Sequence, residues 1–139
     1  MATHHTSITN RDGLAFDAEL NGHSITLDAA AAAGGTDYGP TPKPLLLTSL
    51  AGCTGMDVAS ILAKMQMPYD GFLVEVDGDL SDEHPKVYTA IRLRYVFTGA
   101  ELDEAKINKA VKLSQEKYCG VSAMLKQITE LSYEVLLNP

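Results

Sequence analysis

Residues 45–65, LLLTSLAGCTGMDVASILAKM, form a long apolar run that carries one of the two cysteines of the chain. Pro44 suits the first turn of a helix, because the N–H that proline lacks has no partner there. Pro68 cannot continue a helix. The sequence therefore predicts one helix over about residues 44–67, buried at the centre of the fold.

The same run approaches the length of a membrane span. However, Asp57 and Lys64 lie inside it, and Gly52 and Gly55 interrupt it. An unpaired aspartate near the middle of a bilayer is costly. The sequence therefore favours the central helix of a soluble protein, with no membrane as partner.

Length and charge narrow the class of protein. The 139 residues suit one domain, 1–139, that is large enough to bury a core without disulfides. The net charge of −7 opposes binding to nucleic acid or to anionic membranes, since both require basic patches. The N-terminus shows no secretory signal, and two cysteines are too few for a disulfide scaffold. We therefore expect a cytoplasmic protein.

The remaining pattern predicts strands and shorter helices. Residues 14–28 alternate on both sides of Asn21-Gly22, which predicts a β-hairpin, with a weaker strand over residues 3–9 before it. Residues 29–44 are a predicted loop. Two further strands, over residues 72–80 and 89–97, would pair antiparallel, with acidic side chains opposite Arg92 and Arg94. Alternatively, both arginines lie on a charged face of the sheet that is exposed to solvent, where ion pairs contribute little.

Two helices and one strand complete the predicted order. Asp103 would open the first helix, which ends near Cys119, and a second helix covers residues 121–129. Residues 131–137 alternate as a final strand. Strands and helices that are segregated in this way indicate an α+β fold rather than an alternating α/β fold.

The histidines give no sign of a metal site. They have no ligand spacing with one another or with either cysteine. The four are His4, His5, His23 and His84. No glycine-rich phosphate loop follows a strand. We therefore expect neither a metal nor an organic cofactor.

Cys53 is the first candidate for chemistry. It lies on one helix face with Ser49 and Met56, and Gly52 and Gly55 flank it. Glycine inside a helix costs about 1 kcal/mol relative to alanine, so two of them suggest that a backbone or a substrate comes close. Packing of helices over a small-residue patch, with Cys53 as a small hydrophobic residue, explains the pattern equally well.

Cys119 is the second candidate. It lies at a helix junction, before Gly120 and the possible cap Ser122, and a thiol at such a position is reactive. A buried thiol on a central helix and a second thiol at a helix junction suit a two-thiol redox cycle. In that cycle a peroxide converts one thiolate to sulfenic acid, and the other thiol resolves it to a disulfide.

The stretches GPTPKPLLLTSLAGCTGMDVASIL and LSQEKYCGVSAML resemble the OsmC/Ohr family, the osmotically induced and organic hydroperoxide resistance proteins. The resemblance covers nearly the whole chain. It implies an α+β fold with β-sheets around a long central helix, an intertwined homodimer, and thiol-dependent reduction of hydroperoxides. It implies that Cys53 is the peroxidatic thiol and Cys119 the resolving thiol.

The resemblance also implies a role for Arg11, within Arg11-Asp12-Gly13. This segment is similar to the family segment whose arginine steadies the thiolate, and in a dimer that arginine could come from the other chain. An RDG segment also reads as an ordinary turn. Family peroxidases carry a glutamate where this chain has Lys43 and Pro44, so the family Arg–Glu pair cannot form in the same way. Lys43 is either a cation near the thiol or a solvated loop residue.

The leading hypothesis is a homodimeric thiol peroxidase for small or organic hydroperoxides. An external dithiol would reduce it, and Cys53, Cys119 and Arg11 would form its site. A non-enzymatic dimeric protein of the same fold, which binds an apolar ligand, is the alternative. A redox-sensing or acyl-handling thiol protein is a third interpretation.

Overall fold

The computed structural model describes all of the residues, Met1–Pro139. They form two compact units, Met1–Leu46 and Leu47–Pro139. Two compact units can belong to one domain, so the single domain 1–139 stays a prediction. The two sheets and the long helix give a mixed α+β fold, which confirms the predicted class.

The N-terminal unit is a three-stranded antiparallel sheet. Its strands are β1 (Ser7–Asp12), β2 (Ala15–Leu20) and β3 (His23–Leu27), in that order. The predicted hairpin is confirmed, since Asn21 and Gly22 both have positive φ, 53° and 77°. Such a turn matches the right-handed twist of the flanking strands. The weak first strand begins later than predicted, at Ser7 rather than near residue 3.

The loop that follows is mostly irregular, as predicted, but contains a short 3-10 turn at Ala31–Ala33. Gly34 ends this turn with a φ of 93°, which a residue with a side chain rarely adopts. The carboxylate of Asp28 accepts hydrogen bonds from the backbone N–H groups of Ala29, Thr36 and Tyr38. These bonds hold both ends of the loop to one side chain.

Helix α1 spans Leu45–Lys64, and it ends before the predicted residue 67. Gln66 adopts a φ of 55°. The N–H groups of Gln66 and Met67 bond back to the carbonyls of Ala63 and Leu62, at 3.1 and 3.0 Å. This left-handed closure satisfies the last free carbonyls, so the helix stops ahead of Pro68.

The sequence predicted a buried central helix, and α1 is buried along one side only. Its buried residues recur at a spacing of four: Leu50, Thr54, Val58 and Leu62. On the opposite side Met56 is 76% exposed, and Leu46, at the start of the helix, is 50% exposed. By length and composition alone α1 could cross a membrane, but this is weak evidence because core helices pass the same test.

The second sheet belongs to the C-terminal unit. Its strands are β4 (Gly71–Leu80), β5 (Tyr88–Thr98) and β6 (Glu130–Leu137), with β5 in the centre. The antiparallel pairing of β4 with β5 confirms the prediction, and Arg94 contacts both Glu75 and Asp77. These ion pairs are exposed, so each adds little to stability. β6 runs parallel to β5, a direction that the sequence did not reveal.

The chain between β5 and β6 is helical. Helix α2 spans Glu104–Leu113, with Asp103 as its cap, as predicted. A π-helical turn, Ser114–Tyr118, continues it to Cys119. Helix α3 is Gly120–Leu125, shorter than the predicted 121–129, because the N–H groups of Gln127 and Ile128 bond three residues back and tighten the chain.

The core of the C-terminal unit lies between β5 and the helices. Alternate residues of β5 point into it, and Tyr95 and Phe97 are completely buried. The ring of Phe97 stacks on that of Phe72, with centroids 4.3 Å apart. α1 contributes its buried side to this core, and α2 contributes Ile107 and Val111. Cys53 packs against the same core, and Cys119 is part of it.

Candidate functional site

The two cysteines lie close together in the C-terminal unit. The Sγ atoms of Cys53 and Cys119 and a carboxylate oxygen of Asp57 all lie within 4.8 Å of one another. Both cysteines are free thiols. A disulfide requires an S–S distance of about 2.05 Å, so the reduced pair would have to close further to form one.

The sequence predicted a buried Cys53 and gave no burial for Cys119, but Cys119 is the more buried of the two thiols. Cys119 is 3% exposed, whereas Cys53 on the central helix is half-buried. Cys53 lies between the buried and the exposed sides of α1, so solvent reaches it. The thiol that the resemblance makes peroxidatic is therefore the more accessible of the two.

Backbone N–H groups of α3 contact both sulfurs. Cys119 lies at a helix junction, as predicted, but Cys119 itself caps α3 instead of Ser122: its Sγ accepts from the N–H of Ser122, inside the helix, at 3.3 Å. The backbone N–H of Val121 hydrogen-bonds to Cys53. Helix α3 begins just after the π-helical turn. In that turn the N–H of Cys119 bonds five residues back, to the carbonyl of Ser114, at 2.8 Å. Such turns are frequent at functional sites.

The surroundings of Cys53 oppose its ionisation. Burial is the largest cause that raises the pKa of its thiol, and the neighbouring Cys119 and the charge of Asp57 raise this pKa further. The N–H of Val121 acts in the opposite direction and lowers it. None of these groups is a cation. An uncompensated Cys53 is therefore a weaker acid than an ordinary cysteine.

A chain of hydrogen bonds holds Asp57 in place. Its links are Gln115 Nε2 to Tyr95 Oη (2.7 Å), Tyr95 Oη to Thr54 Oγ1 (2.7 Å), Thr54 Oγ1 to Ser114 Oγ (2.7 Å) and Ser114 Oγ to Asp57 Oδ2 (3.0 Å). Gln115 and Asp57, at the two ends of this chain of hydrogen bonds, fix which atom donates at each link. The amide N–H of Gln115 can only donate, and the carboxylate of Asp57 can only accept. Each hydroxyl therefore accepts from one neighbour and donates to the next.

Burial supports this assignment. It raises the pKa of Tyr95, so the phenol keeps the proton that it donates to Thr54. Thr54 and Ser114 are completely buried. Buried hydrogen-bond networks of this kind fix side-chain positions, and in this one only the Oε1 atom of Gln115 has no partner. The Asp57 carboxylate is thus presented to the sulfurs in one orientation.

The sequence singled out Cys53 and Cys119 but missed the groups around them. Asp57 follows Cys53 by four residues, a spacing that places both on one helix face, and this signal could have identified it. Tyr95, Ser114 and Gln115 gave no such signal, because their roles depend on contacts between distant parts of the chain.

Gly52 and Gly55, which flank Cys53, have space around them for a side chain. A side chain at Gly52 would meet nothing within 4 Å. One at Gly55 would touch Val74 at 3.5 Å, which is ordinary packing. The close approach that these glycines suggested is therefore not made by residues of the chain itself.

Arg11 lies in the N-terminal unit, where it has a carboxylate partner. Its Nε and Nη2 atoms donate to the two oxygens of Asp17, at 3.0 and 2.7 Å. Its guanidinium also lies over the ring of Tyr38, 5.5 Å from the centroid. Lys43 is exposed, in the turn before α1. Asp17 thus gives Arg11 the acidic partner that the sequence around Lys43 does not supply.

Known proteins resemble the whole chain. The family model "OsmC-like protein" matches residues 34–134. Protein YhfA of Escherichia coli K12 is 35% identical over 128 residues, which cover 90% of this chain and 92% of YhfA. A hypothetical protein from Aquifex aeolicus has a crystal structure that aligns with a TM-score of 0.84 at 33% identity, over the full length of both chains.

An organic hydroperoxide resistance protein from Elizabethkingia anophelis shares the fold, with a TM-score of 0.70 at 14% identity, over 99% of this chain and 98% of that one. The family and the two adjacent thiols support a redox or peroxide-related role. By the match to its family model and by its likeness to YhfA, the chain belongs to the OsmC-like protein family.

Proposed function

We propose that this protein reduces organic hydroperoxides with the thiol pair Cys53 and Cys119. The single observation that carries the proposal is the approach of the two sulfurs to within 4.8 Å. Cys53 is the nucleophile, since it is the more accessible thiol. Cys119, which is buried beside it, is the resolving group.

The cycle has two steps in the protein. The Cys53 thiolate attacks one peroxide oxygen, the O–O bond breaks, and the other oxygen takes a proton and leaves as an alcohol. The sulfur is now a sulfenic acid. The Cys119 thiol attacks this sulfur, an S–S bond forms, and the hydroxyl leaves as water. An external dithiol then reduces the disulfide by thiol exchange.

Substitution of each cysteine separates these steps. In the wild-type protein, one equivalent of cumene hydroperoxide is expected to remove both free thiols and lower the mass by two hydrogens. Cys53→Ser abolishes this reaction, because the nucleophile is lost. Cys119→Ser stops at the sulfenic acid, which a dimedone adduct reveals by mass spectrometry. Thiols of the wild-type protein that stay inert to the hydroperoxide would contradict the proposal.

The rate of the first step should depend on pH in a defined direction. Thiolate is the reactive form, and the pKa of Cys53 is raised, so the rate of Cys53 oxidation increases with pH until that raised pKa is passed. Asp57→Asn removes one of the charges that raise this pKa, so the midpoint of the profile moves to lower pH. Stopped-flow oxidation across a pH series measures both midpoints.

Asp82→Asn is the matched control for that experiment, since it makes the same change at an exposed position. Its midpoint should equal that of the wild type. A midpoint that Asp57→Asn leaves in place would mean that the carboxylate exerts no effect on the thiolate.

We further propose that Arg11 offsets the unfavourable surroundings of Cys53. The groups that act on this thiol include no cation, and a thiolate needs one to form readily near neutral pH. Asp17 and Tyr38 orient the guanidinium of Arg11, and its side chain stays 45% exposed. In the proposed homodimer, the arginine that acts on Cys53 comes from the partner chain.

Arg11→Gln should slow Cys53 oxidation about tenfold, because one charge-assisted hydrogen bond contributes about 1.5 kcal/mol. Arg92→Gln is the control, as Arg92 also binds an aspartate through two nitrogens and its side chain is also 45% exposed. It should change the rate less than twofold. Equal rates for the two variants, by stopped-flow fluorescence or thiol titration, would remove Arg11 from the mechanism.

We propose that the protein is a homodimer in which the exposed side of α1 meets a second chain. Met56 on this side and Leu46 at the start of the helix are exposed apolar side chains, and Gly52 faces open space, which lets another backbone approach. A small-residue surface flanked by exposed apolar side chains suits contact between two copies.

The dimer is testable by sedimentation. The wild-type protein should sediment as a dimer at micromolar concentration, and Met56→Lys should shift it towards the monomer, because the interface would bury an unpaired charge. Val87→Lys is the control, since Val87 is also an exposed apolar residue but lies in the turn before β5. A wild-type monomer, or a Met56→Lys dimer of unchanged affinity, would count against this interface.

The raised pKa of Cys53 supports a second candidate, a non-enzymatic protein of the same fold. A thiol that is seldom ionised reacts slowly, as a packed or sensing cysteine does. Slow stoichiometric oxidation without turnover by any dithiol would favour this candidate over the peroxidase.

A further inference from the structure

We propose that the reduced thiol pair is also a binding site for a thiophilic divalent cation of the Zn²⁺ class, with Cys53, Cys119 and Asp57 as its ligands. The spacing of the histidines predicted no metal site. This cluster contains no histidine, so that spacing gave no information about it. The proposal does not depend on hydroperoxide reduction, because it concerns only the reduced site.

The ligand atoms are close to the separation that a metal requires. Zn²⁺ binds sulfur at about 2.3 Å and carboxylate oxygen at about 2.0–2.2 Å, so two sulfurs on one tetrahedral ion lie about 3.8 Å apart. The three atoms here lie within 4.8 Å of one another. The two sulfurs would have to approach one another by up to about 1 Å to share one tetrahedral ion.

The identity of the ligands selects the cation. Two thiolates and one carboxylate suit Zn²⁺ or Cd²⁺, whereas Mg²⁺ and Ca²⁺ prefer sites made of oxygen alone. Three protein ligands leave the fourth tetrahedral position for water, which is the arrangement of open zinc sites. Asp57 and Cys53 are half-buried, so an ion can reach them from solvent.

Each ligand is already held by one hydrogen bond. Ser114 donates to Oδ2 of Asp57, the N–H of Val121 contacts Cys53, and the N–H of Ser122 contacts the sulfur of Cys119. All three donors lie in residues 114–122, the π-helical turn and the start of α3. Groups of this kind, which orient metal ligands, strongly affect metal affinity.

Electrostatics favours the ion once the thiols lose their protons. Two thiolates and a carboxylate whose ligand atoms lie within 4.8 Å of one another repel one another. A divalent cation among them turns that repulsion into attraction. Binding therefore displaces the two thiol protons, one from each cysteine, and affinity rises with pH.

The binding test uses the full chain, freed of metal and kept reduced with a phosphine. It is titrated with Zn²⁺ in competition with a chromophoric chelator, and with Cd²⁺ to follow the ultraviolet thiolate-to-metal band. We expect one ion per chain, and no effect of Mg²⁺. Cys53→Ser, Cys119→Ser and Asp57→Asn should each weaken Zn²⁺ binding more than about tenfold.

Ser114→Ala tests the orienting hydrogen bond, and it should weaken binding about 10- to 100-fold without removing a ligand. Asp82→Asn should bind as the wild type does. Circular dichroism and thermal unfolding show whether each variant is folded. Failure of the reduced wild-type chain to bind Zn²⁺ would overturn the proposal. So would binding that Asp57→Asn or either cysteine variant leaves unchanged.

Oxidation provides a test that is independent of peroxide. Diamide takes two hydrogens from the thiols and leaves a disulfide, so the oxidised chain should lose the site. Retention of full Zn²⁺ affinity by the disulfide form would refute these ligands. Cumene hydroperoxide consumption by the metal-free chain is assayed separately, so loss of that activity with intact Zn²⁺ binding would reject the proposed function alone.

Discussion

The hydroxyl of Thr54 joins the three parts of the chain on which the site depends. It lies on α1 and bonds both to Tyr95 on β5 and to Ser114 at the start of the π-helical turn, each at 2.7 Å. A buried hydroxyl that lost these partners would cost about 1–3 kcal/mol. The bonds therefore fix how α1, β5 and the turn approach one another, and the turn in turn carries Cys119 to Cys53.

The same network bears on the acidity of Cys53. It ends on Asp57, and so it holds a negative charge beside this half-buried thiol, whose pKa burial already raises. Such a site resists ionisation unless a positive charge enters it. The proposed arginine and the proposed cation answer this one requirement in different ways. Arg11 would stabilise a single thiolate for reaction. A divalent ion would neutralise both thiolates and, by binding them, keep them from reacting with a peroxide.

Local sequence signals were sufficient for most of the fold. Asn21-Gly22 specified its hairpin, Asp103 opened its helix, and the alternation along β4 and β5 gave their pairing, because each depends on neighbours in the chain. The sequence was insufficient where distant contacts decide. The parallel direction of β6 and the exposed side of α1 both follow from how elements pack.

The sequence by itself determined the family, the α+β class and the two cysteines of the candidate site, since composition and short motifs carry that information. Only the tertiary structure decided that the two sulfurs lie close together, that Cys119 is the buried thiol, and that Asp57 lies beside both. The physical reason is that a helix face fixes only residues three or four apart. Cys119 reaches Cys53 through the packing of a different segment, and no local pattern encodes that contact.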